Sequence, residues 1–223
     1  MKPPNKGGRG GPDPVSELTT NRLSIYLRAL AALDKAGVRA VSSQALADQF
    51  HLNAAQIRKD LAQFGEFGVR GVGYVVTDLL RHLREILGLD RQLPVAVIGA
   101  GNLGLALADY SGFRIEGFDV VALFDVAKHK IGRRSRAGVT IHDIRHFPRL
   151  AKRLGIRIAV LAVPHAQAQR VADAVVGAGI KAILSFSPGG VEVPGGVKVK
   201  RVDLTVSLES LSYYLAQGDG HES

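Results

Sequence analysis

Three glycines, Gly99, Gly101 and Gly104, stand in G-x-G-x-x-G spacing within GAGNLG. Alone, that spacing is a weak signal. Here the apolar run VAVI precedes it and LALADY continues as a helical pattern, which places it at a strand-to-helix turn. The chemistry of such a turn is anion binding. The first glycine permits a tight turn, the second lets a pyrophosphate reach the backbone, and the third lets helix and strand pack closely. Amides of Ala100, Asn102 and Leu103, at the start of the helix, would face the anion.

About 20 positions further on, the run FDVVALFD ends on Asp125. A carboxylate there accepts hydrogen bonds from adenosine ribose hydroxyls and repels a 2′-phosphate, so it predicts NAD(H) rather than NADP(H). Lys128, Lys130, Arg133, Arg134 and Arg136 follow at once and argue the other way, since a nearby arginine can hold a 2′-phosphate. The aspartate is placed by a strand and the cations by a loop expected to be mobile, so NAD(H) is the reading adopted. Lys and Arg in that loop also suit distant phosphates or plain solvation.

A second group of residues precedes the glycines. In NAAQIRKDLAQFGEFGVRGVGY, Asn53 is a good N-cap for a helix from Ala54 to Phe64, which Gly65 ends. Ile57, Leu61 and Phe64 fall within about 60° on that helix and point to a core. Ala55, Lys59 and Ala62 point the other way, flanked by Gln56, Arg58 and Gln63. Small residues allow close approach to a major groove, and long donors reach phosphates and base edges. Residues Phe67 to Val76 then read as a tight β-ribbon, with Arg70 and Gly71 at its tip and Tyr74 beside them. A ribbon after such a helix makes a winged helix, with Arg70 placed to enter a minor groove. Taken one at a time, these cations are ordinary surface charge; their order along the chain is what predicts DNA binding.

The elements that must position these groups are also legible. Leu23, Leu27 and Leu30, with Tyr26 and Leu33, mark an amphipathic helix over 21–36, with Thr19, Thr20 or Asn21 as cap. VRAV at 38–41 suits a short strand, and Ser42 or Ser43 caps a helix running to Phe50. The turn at His51-Leu52 completes a helix-turn-helix pattern. Thr77 is expected to cap a further helix ending at Gly88, a bridge between domains. After the glycine turn, IRIAVLAVP and IKAILSFSP read as buried strands either side of a helix, giving a mostly parallel, doubly wound sheet. Ligands bind beyond the carboxyl ends of such strands. That places Val163, Pro164, His165, Ser187 and Pro188 near a nicotinamide. Leu204, Leu208, Leu211 and Leu215 form a stripe on a terminal helix. It suits packing on its own sheet or exchange with a second protomer.

The 223 residues carry 29 Lys and Arg against 20 Asp and Glu, a formal charge of +9, which favours polyanion encounter. There is no cysteine, so disulfides and thiolate metal sites are excluded. No apolar run approaches the roughly 20 residues needed to span a bilayer, and MKPPNKGGRGGPDP has no apolar signal segment. The expectation is a cytoplasmic protein without membrane or metal partners. The expected fold is α/β. Residues 1–18 are a disordered tail, 19–88 a winged-helix DNA-binding domain, and 89–202 a Rossmann-like NAD(H)-binding domain. A C-terminal dimerisation helix over 203–217 and a tail over 218–223 complete the chain.

Together QIRKDLAQFGEFGVRGVGY, GAGNLG, FD, AVP and VDL resemble the Rex family of bacterial redox-sensing transcriptional repressors over residues 19 to 217. The IRKDL–FG–RGVGY block is the most specific part. The resemblance implies a homodimer whose terminal helix swaps into the partner. Such a dimer binds double-stranded operator DNA when NADH is scarce and is released by NADH, so it reports the NADH/NAD+ ratio. It implies operator contacts for Arg58 and Lys59, and a wing role for Arg70, Gly71 and Tyr74. It also implies pyrophosphate binding by Gly99 to Gly104 and ribose binding by Asp125. Arg28, Tyr110 and Asp203 would exchange polar contacts during switching, and Tyr110, Val163, Pro164 and Phe186 would border the nicotinamide. Residue 204 is Leu where some relatives place an aromatic. Two other readings stand beside this one: an NAD-dependent dehydrogenase using His165 as acid/base, and a Rossmann module for another nucleotide such as coenzyme A.

Overall fold

The computed structural model describes residues 15–69 and 71–218. Arg70 and the tails at 1–14 and 219–223 lie outside the described residues. The chain divides into two compact units between Asp90 and Arg91.

In the first unit, helix α1 spans Glu17–Lys35. It starts before the expected position because Ser16 is the cap: its Oγ accepts from the Thr19 amide at 3.1 Å. Glu17 in the first turn complements the helix dipole. Leu23, Tyr26, Leu27, Leu30 and Leu33 are buried, as their spacing predicts. Strand β1 (Ala40–Val41) leads to α2 (Ser43–Phe50), capped by Ser42. His51, left-handed at φ 53°, turns the chain into α3 (Ala54–Ala62). Asn53 caps α3 by accepting from the Gln56 amide at 2.9 Å. The helix stops two residues short of Phe64, before the turn at Gly65 (φ +139°).

Strands β2 (Gly68–Val69) and β3 (Gly73–Val75) form the expected antiparallel ribbon, and β1 joins β3 in the order β1-β3-β2. Gly73 sits where β3 crosses β1 most closely. Its φ is +91°, and a Cβ there would lie 2.5 Å from the Val41 carbonyl oxygen. Helix α4 (Val76–Ile86) starts one residue before Thr77 and has no side-chain cap. Its Val76, Leu79 and Leu83 complete the core around α1.

The second unit is a six-stranded parallel sheet in the order β6-β5-β4-β7-β8-β9. Along the chain come β4 (Leu93–Ile98), α5 (Asn102–Asp109), α6 (Ser111–Ile115), β5 (Phe118–Asp125) and β6 (Ile141–Asp143). Then follow α7 (Phe147–Arg153), β7 (Ile158–Leu161), α8 (His165–Gly177), β8 (Ala182–Ser185), β9 (Lys198–Arg201) and α9 (Leu204–Gly218). From β4 the chain first builds outward through β5 and β6, then returns to β7 on the other side. That reversal leaves a crevice beyond the ends of β4 and β7, where ligands bind in such sheets. Helices cover both faces, so adjacent strand residues are buried on opposite sides. Ala96, Ile98, Phe124 and Leu161 pack on one face, and Val95, Val97, Leu123 and Val160 on the other.

Helix α9 does not pack on its own sheet. Every residue from 204 to 217 is exposed, and its seven large apolar side chains are 59–69 % accessible.

Gly73→Ala is expected to destabilise the first unit by about 1–3 kcal/mol, because the new methyl meets backbone in a strained conformation. Urea unfolding followed by circular dichroism measures it. An unchanged midpoint would contradict the close crossing of β1 and β3.

Candidate functional site

The glycine turn follows directly from β4. A Cβ on Gly99 (φ +103°) would strike the Ala162 carbonyl, and one on Gly104 would overlap the Gly99 carbonyl. A Cβ on Gly101 would meet nothing within 4 Å. Two glycines are therefore required by the protein's own backbone. The third leaves open space on the side where the α5 N-terminus is exposed.

Asp125, at the end of β5, is fixed to this turn. Its Oδ2 accepts from the Ala100 amide at 2.9 Å and from Lys130 Nζ at 3.0 Å, and its Oδ1 from the Ala127 amide at 2.9 Å. Burial opposes its ionisation, but the Ala127 amide, Lys130 and the Ala100 amide outweigh it and hold the carboxyl below its ordinary pKa. Beside it opens a cleft of about 400 Å³. Ala100, Gly101 and Asn102 line one side, and His129, Lys130, Arg133 and Arg134 another.

The basic loop, expected from its composition to be mobile, is hydrogen-bonded along its backbone. The Gly132 amide donates to Ile141 O at 2.9 Å, and the Ile141 amide to Arg133 O at 2.8 Å. The Ser135 amide donates to Val139 O at 2.9 Å, closing a tight turn. Asp109, at the end of α5, accepts from the amides of Arg136 (3.3 Å) and Ala137 (2.8 Å). The Asp109 bonds span 27 and 28 positions, which local composition does not show. The backbone of Arg133 is thus bonded in place, and Arg133 and Arg134 both line the cleft.

At the ends of β7 and β8, Ser187 Oγ donates to Val163 O at 2.6 Å and ties the two loops together. Val163 and Phe186 are half-buried and Pro164 is exposed. Tyr110 is 61 % exposed and meets the Phe113 ring edge-on at 5.1 Å between centroids. Leu103, on the first turn of α5, is 42 % exposed. His165 opens α8 and its Nδ1 donates to Pro188 O at 2.6 Å. That partner is a carbonyl, not the carboxylate that would orient an acid/base histidine. Asp203 accepts from the amides of Thr205 (3.0 Å) and Val206 (3.4 Å), at the start of α9.

In the first unit, α3 presents Ala55, Arg58, Lys59, Ala62 and Gln63 outward. Arg58 Nη1 donates to Ser43 Oγ at 2.7 Å, which joins α3 to α2. Gly71 is exposed at the ribbon turn (φ +83°), and Arg28 is exposed on α1. Two predicted DNA contacts are placed differently. Tyr74 is only 9 % exposed and belongs to the core of the unit, so it supports the ribbon from beneath. Gln56 is half-buried, and its side-chain amide donates to Asp60 Oδ1 at 2.7 Å.

Asp60 was not among the residues singled out from the sequence. It is fully buried. Arg22 donates to it twice, Nε to Oδ2 at 2.6 Å and Nη2 to Oδ1 at 2.8 Å, and Tyr26 Oη donates to Oδ2 at 2.9 Å. Burial pushes its pKa up, but the bonds from Arg22, Gln56 and Tyr26 prevail and it lies below the ordinary value. Arg22 and Tyr26, four apart on α1, were the available signal.

Among the described residues no cluster of His, Asp or Glu is suited to a metal ion, and no helix is long and apolar enough to cross a membrane. Residues 14–62 match the family model "Putative DNA-binding protein N-terminus", and residues 90–189 match "CoA binding domain". The chain is 48 % identical over 205 residues to the redox-sensing transcriptional repressor Rex of Chloroflexus aurantiacus, covering 92 % of this chain and 96 % of that one. The chain belongs to the Rex family of redox-sensing transcriptional repressors. The Rex of Desulforamulus reducens is 46 % identical, covering 91 % of this chain and 96 % of its own. Among solved structures, the Rex-family repressor RSP is 38 % identical. Its complex with β-NAD+ and operator DNA superposes with a TM-score of 0.87, covering 94 % of this chain and 99 % of that one. Its complex with β-NADH gives 0.80, covering 92 % and 96 %. The winged helix-turn-helix and Rossmann-like α/β units expected from the sequence are thus the Rex-family fold.

Gly104→Ala is expected to lower the melting temperature, because a methyl there overlaps the Gly99 carbonyl, whereas Gly101→Ala is expected to leave it unchanged. Equal melting of the two variants would contradict this division of roles. Asp125 has a depressed folded pKa, so its contribution to stability is complete above about pH 4. It disappears as pH falls through the folded value. An acid titration of melting temperature should show Asp125→Asn losing less stability than the parent over that window.

Proposed function

We propose that this chain is a cytoplasmic homodimer that binds double-stranded operator DNA and releases it when NADH replaces NAD+ in the cleft beside Gly99–Gly104. The reading rests above all on the match over 94 % of the chain to RSP, solved with β-NAD+ and operator DNA and also with β-NADH. The residues present fit such a ligand. Gly101 leaves room for a pyrophosphate at the α5 N-terminus, where the amides of Ala100, Asn102 and Leu103 would bind it. Asp125 has three donors, and a carboxylate offers about four lone-pair sites, so a ribose hydroxyl can bind by adding to them or by replacing Lys130.

When bound, the nicotinamide supplies the signal: it is positive and planar when oxidised, neutral and puckered when reduced. The adenosine and pyrophosphate are common to both forms, so the anchor cannot tell them apart. Discrimination falls to Tyr110, Val163, Pro164 and Phe186, with Arg28 and Asp203 exchanging polar contacts as the dimer switches. A dimer reads two half-sites at once, so a change in spacing of the two α3 helices weakens both contacts together. No turnover is assigned: His165 has a carbonyl partner and no role in this scheme.

Domains over 19–88, 89–202 and 203–217 carry DNA binding, NAD(H) binding and dimerisation. An isolated 15-residue helix is marginal in water. The exposed apolar side chains of α9 therefore need a cover, and the helix of a second copy, exchanged between protomers, supplies it. On DNA, Lys59 and Arg58 reach the duplex from α3, whose N-terminus Asn53 caps. The ribbon at Gly71 follows, and Arg70, a wing residue by sequence, lies outside the described residues.

Fluorescence anisotropy on a palindromic operator should show affinity falling at least tenfold, about 1.4 kcal/mol, as the NADH/NAD+ ratio rises. A flat response would overturn the sensor reading. Deleting residues from 204 onward should give monomers by light scattering and weak operator binding. In calorimetry NADH should bind more tightly than NADPH or coenzyme A, the latter included because residues 90–189 match a CoA-binding description.

A further inference from the structure

Asp60 stands against three local preferences at once. It is fully buried, where a charge carries a large desolvation penalty. It lies in the last turn of α3, where a carboxylate opposes the helix dipole. It also borders the apolar side of the helix, next to Ile57 and Leu61, where an apolar residue would pack without penalty. A sequence that breaks local rules in this way does so at functional sites more often than elsewhere.

We propose that Asp60, gripped by Arg22, Tyr26 and Gln56, sets the rotation of α3 about its own axis, and that these four are positioning residues for operator recognition. Apolar contacts are non-directional, so the packing of Ile57 and Leu61 alone tolerates small rotations of α3. Three hydrogen bonds of 2.6–2.9 Å from α1 do not, and the fourth, from Gln56 within α3, orients the Asp60 carboxylate toward them. The Arg22 fork is planar and bidentate, which fixes direction as well as distance. The grip extends backwards: Arg22 Nη2 also donates to Thr19 Oγ1 at 3.1 Å, and Thr19 Oγ1 lies 2.9 Å from the Ser16 hydroxyl that caps α1.

Rotation matters because Lys59 and Arg58, both exposed, project from the same short helix. A helix with side chains is about 10–12 Å across, so a 20° rotation sweeps its outer tips by about 2 Å. That exceeds the tolerance of a hydrogen bond to a base edge. A phosphate contact made through a flexible lysine follows such a shift. The quartet is thus expected to govern specificity, the preference for operator over other duplexes, more than general affinity for DNA.

The inference rests on the reading that α3 enters the groove. The test is the double substitution Arg22→Met with Asp60→Leu in the full-length chain, which replaces the ion pair by apolar packing. Melting temperature and NADH affinity report integrity. Anisotropy is read on a duplex selected in vitro with the parent protein and on a scrambled duplex of equal length. Expected are a cooperative melt at a lowered temperature, because the buried Tyr26 hydroxyl loses its acceptor, with unchanged NADH binding and unchanged affinity and salt slope on scrambled DNA. The preference for the selected duplex should fall at least tenfold. A parental preference in this variant would overturn the proposal. If the double variant does not fold, Arg22→Lys, which keeps the charge and loses the fork, is read the same way: reduced preference supports the proposal and parental preference overturns it. Lys59→Ala separates the underlying reading. Weakened binding to both duplexes, with a salt slope smaller by about one, keeps α3 on DNA. No change on either removes α3 from the interface and the proposal with it.

Discussion

The hydrogen bond from the Ala100 amide to Asp125 is the constraint on which the nucleotide half depends. It is 2.9 Å long and spans 25 residues of chain. It joins the turn after β4 to the end of β5. The proposed pyrophosphate and ribose sites are useful together only at a fixed separation, and this bond would set it before any ligand arrives. Pre-organisation of that kind lowers the ordering cost of binding. It also makes the anchor indifferent to the oxidation state of the ring at the other end of the ligand. In the proposed scheme, selectivity for the reduced form falls instead to the exposed Tyr110 and the loops that Ser187 ties together.

The N-terminal unit solves an analogous problem with different chemistry. Its core of leucines supplies stability, and the Asp60 quartet supplies direction. Replacement of such buried ion pairs by apolar residues often leaves stability intact or raises it. Retention of one on α3, the helix proposed to meet DNA, is therefore explained better by geometry than by folding energy. Both units follow the same division of labour: apolar packing holds elements together, and one carboxylate with several directional donors fixes the part that must meet a ligand.

Much of this was legible in the sequence because periodicity and spacing report local physics. The 3.6-residue pattern of Leu23, Leu27 and Leu30 placed α1. The glycine spacing placed the turn after β4, and the Leu204 to Leu215 stripe placed α9. What stayed hidden depends on partners far apart in the chain. Asp60 reads as one more charge in IRKDL until Arg22, 38 positions away, is brought beside it. The loop after Asp125 reads as a solvated basic run until Asp109 is seen to hold its amides. Tyr74, in RGVGY, reads as a wing residue because the ribbon pattern does not say which face of β3 meets the core. Composition, with 29 basic residues, indicated a polyanion partner but not which cations would meet it.

Coupling between the two halves is the central claim, and linkage makes it reciprocal: whatever factor NADH takes from operator affinity, operator must take from NADH affinity. The most direct measurement is therefore calorimetric titration of NADH, and of ADP as an anchor-only ligand, into the protein with and without saturating operator duplex. The account predicts that operator weakens NADH binding by the same factor that NADH weakens operator binding, while ADP binds equally in both cases. Equal NADH affinity with and without the duplex would contradict it.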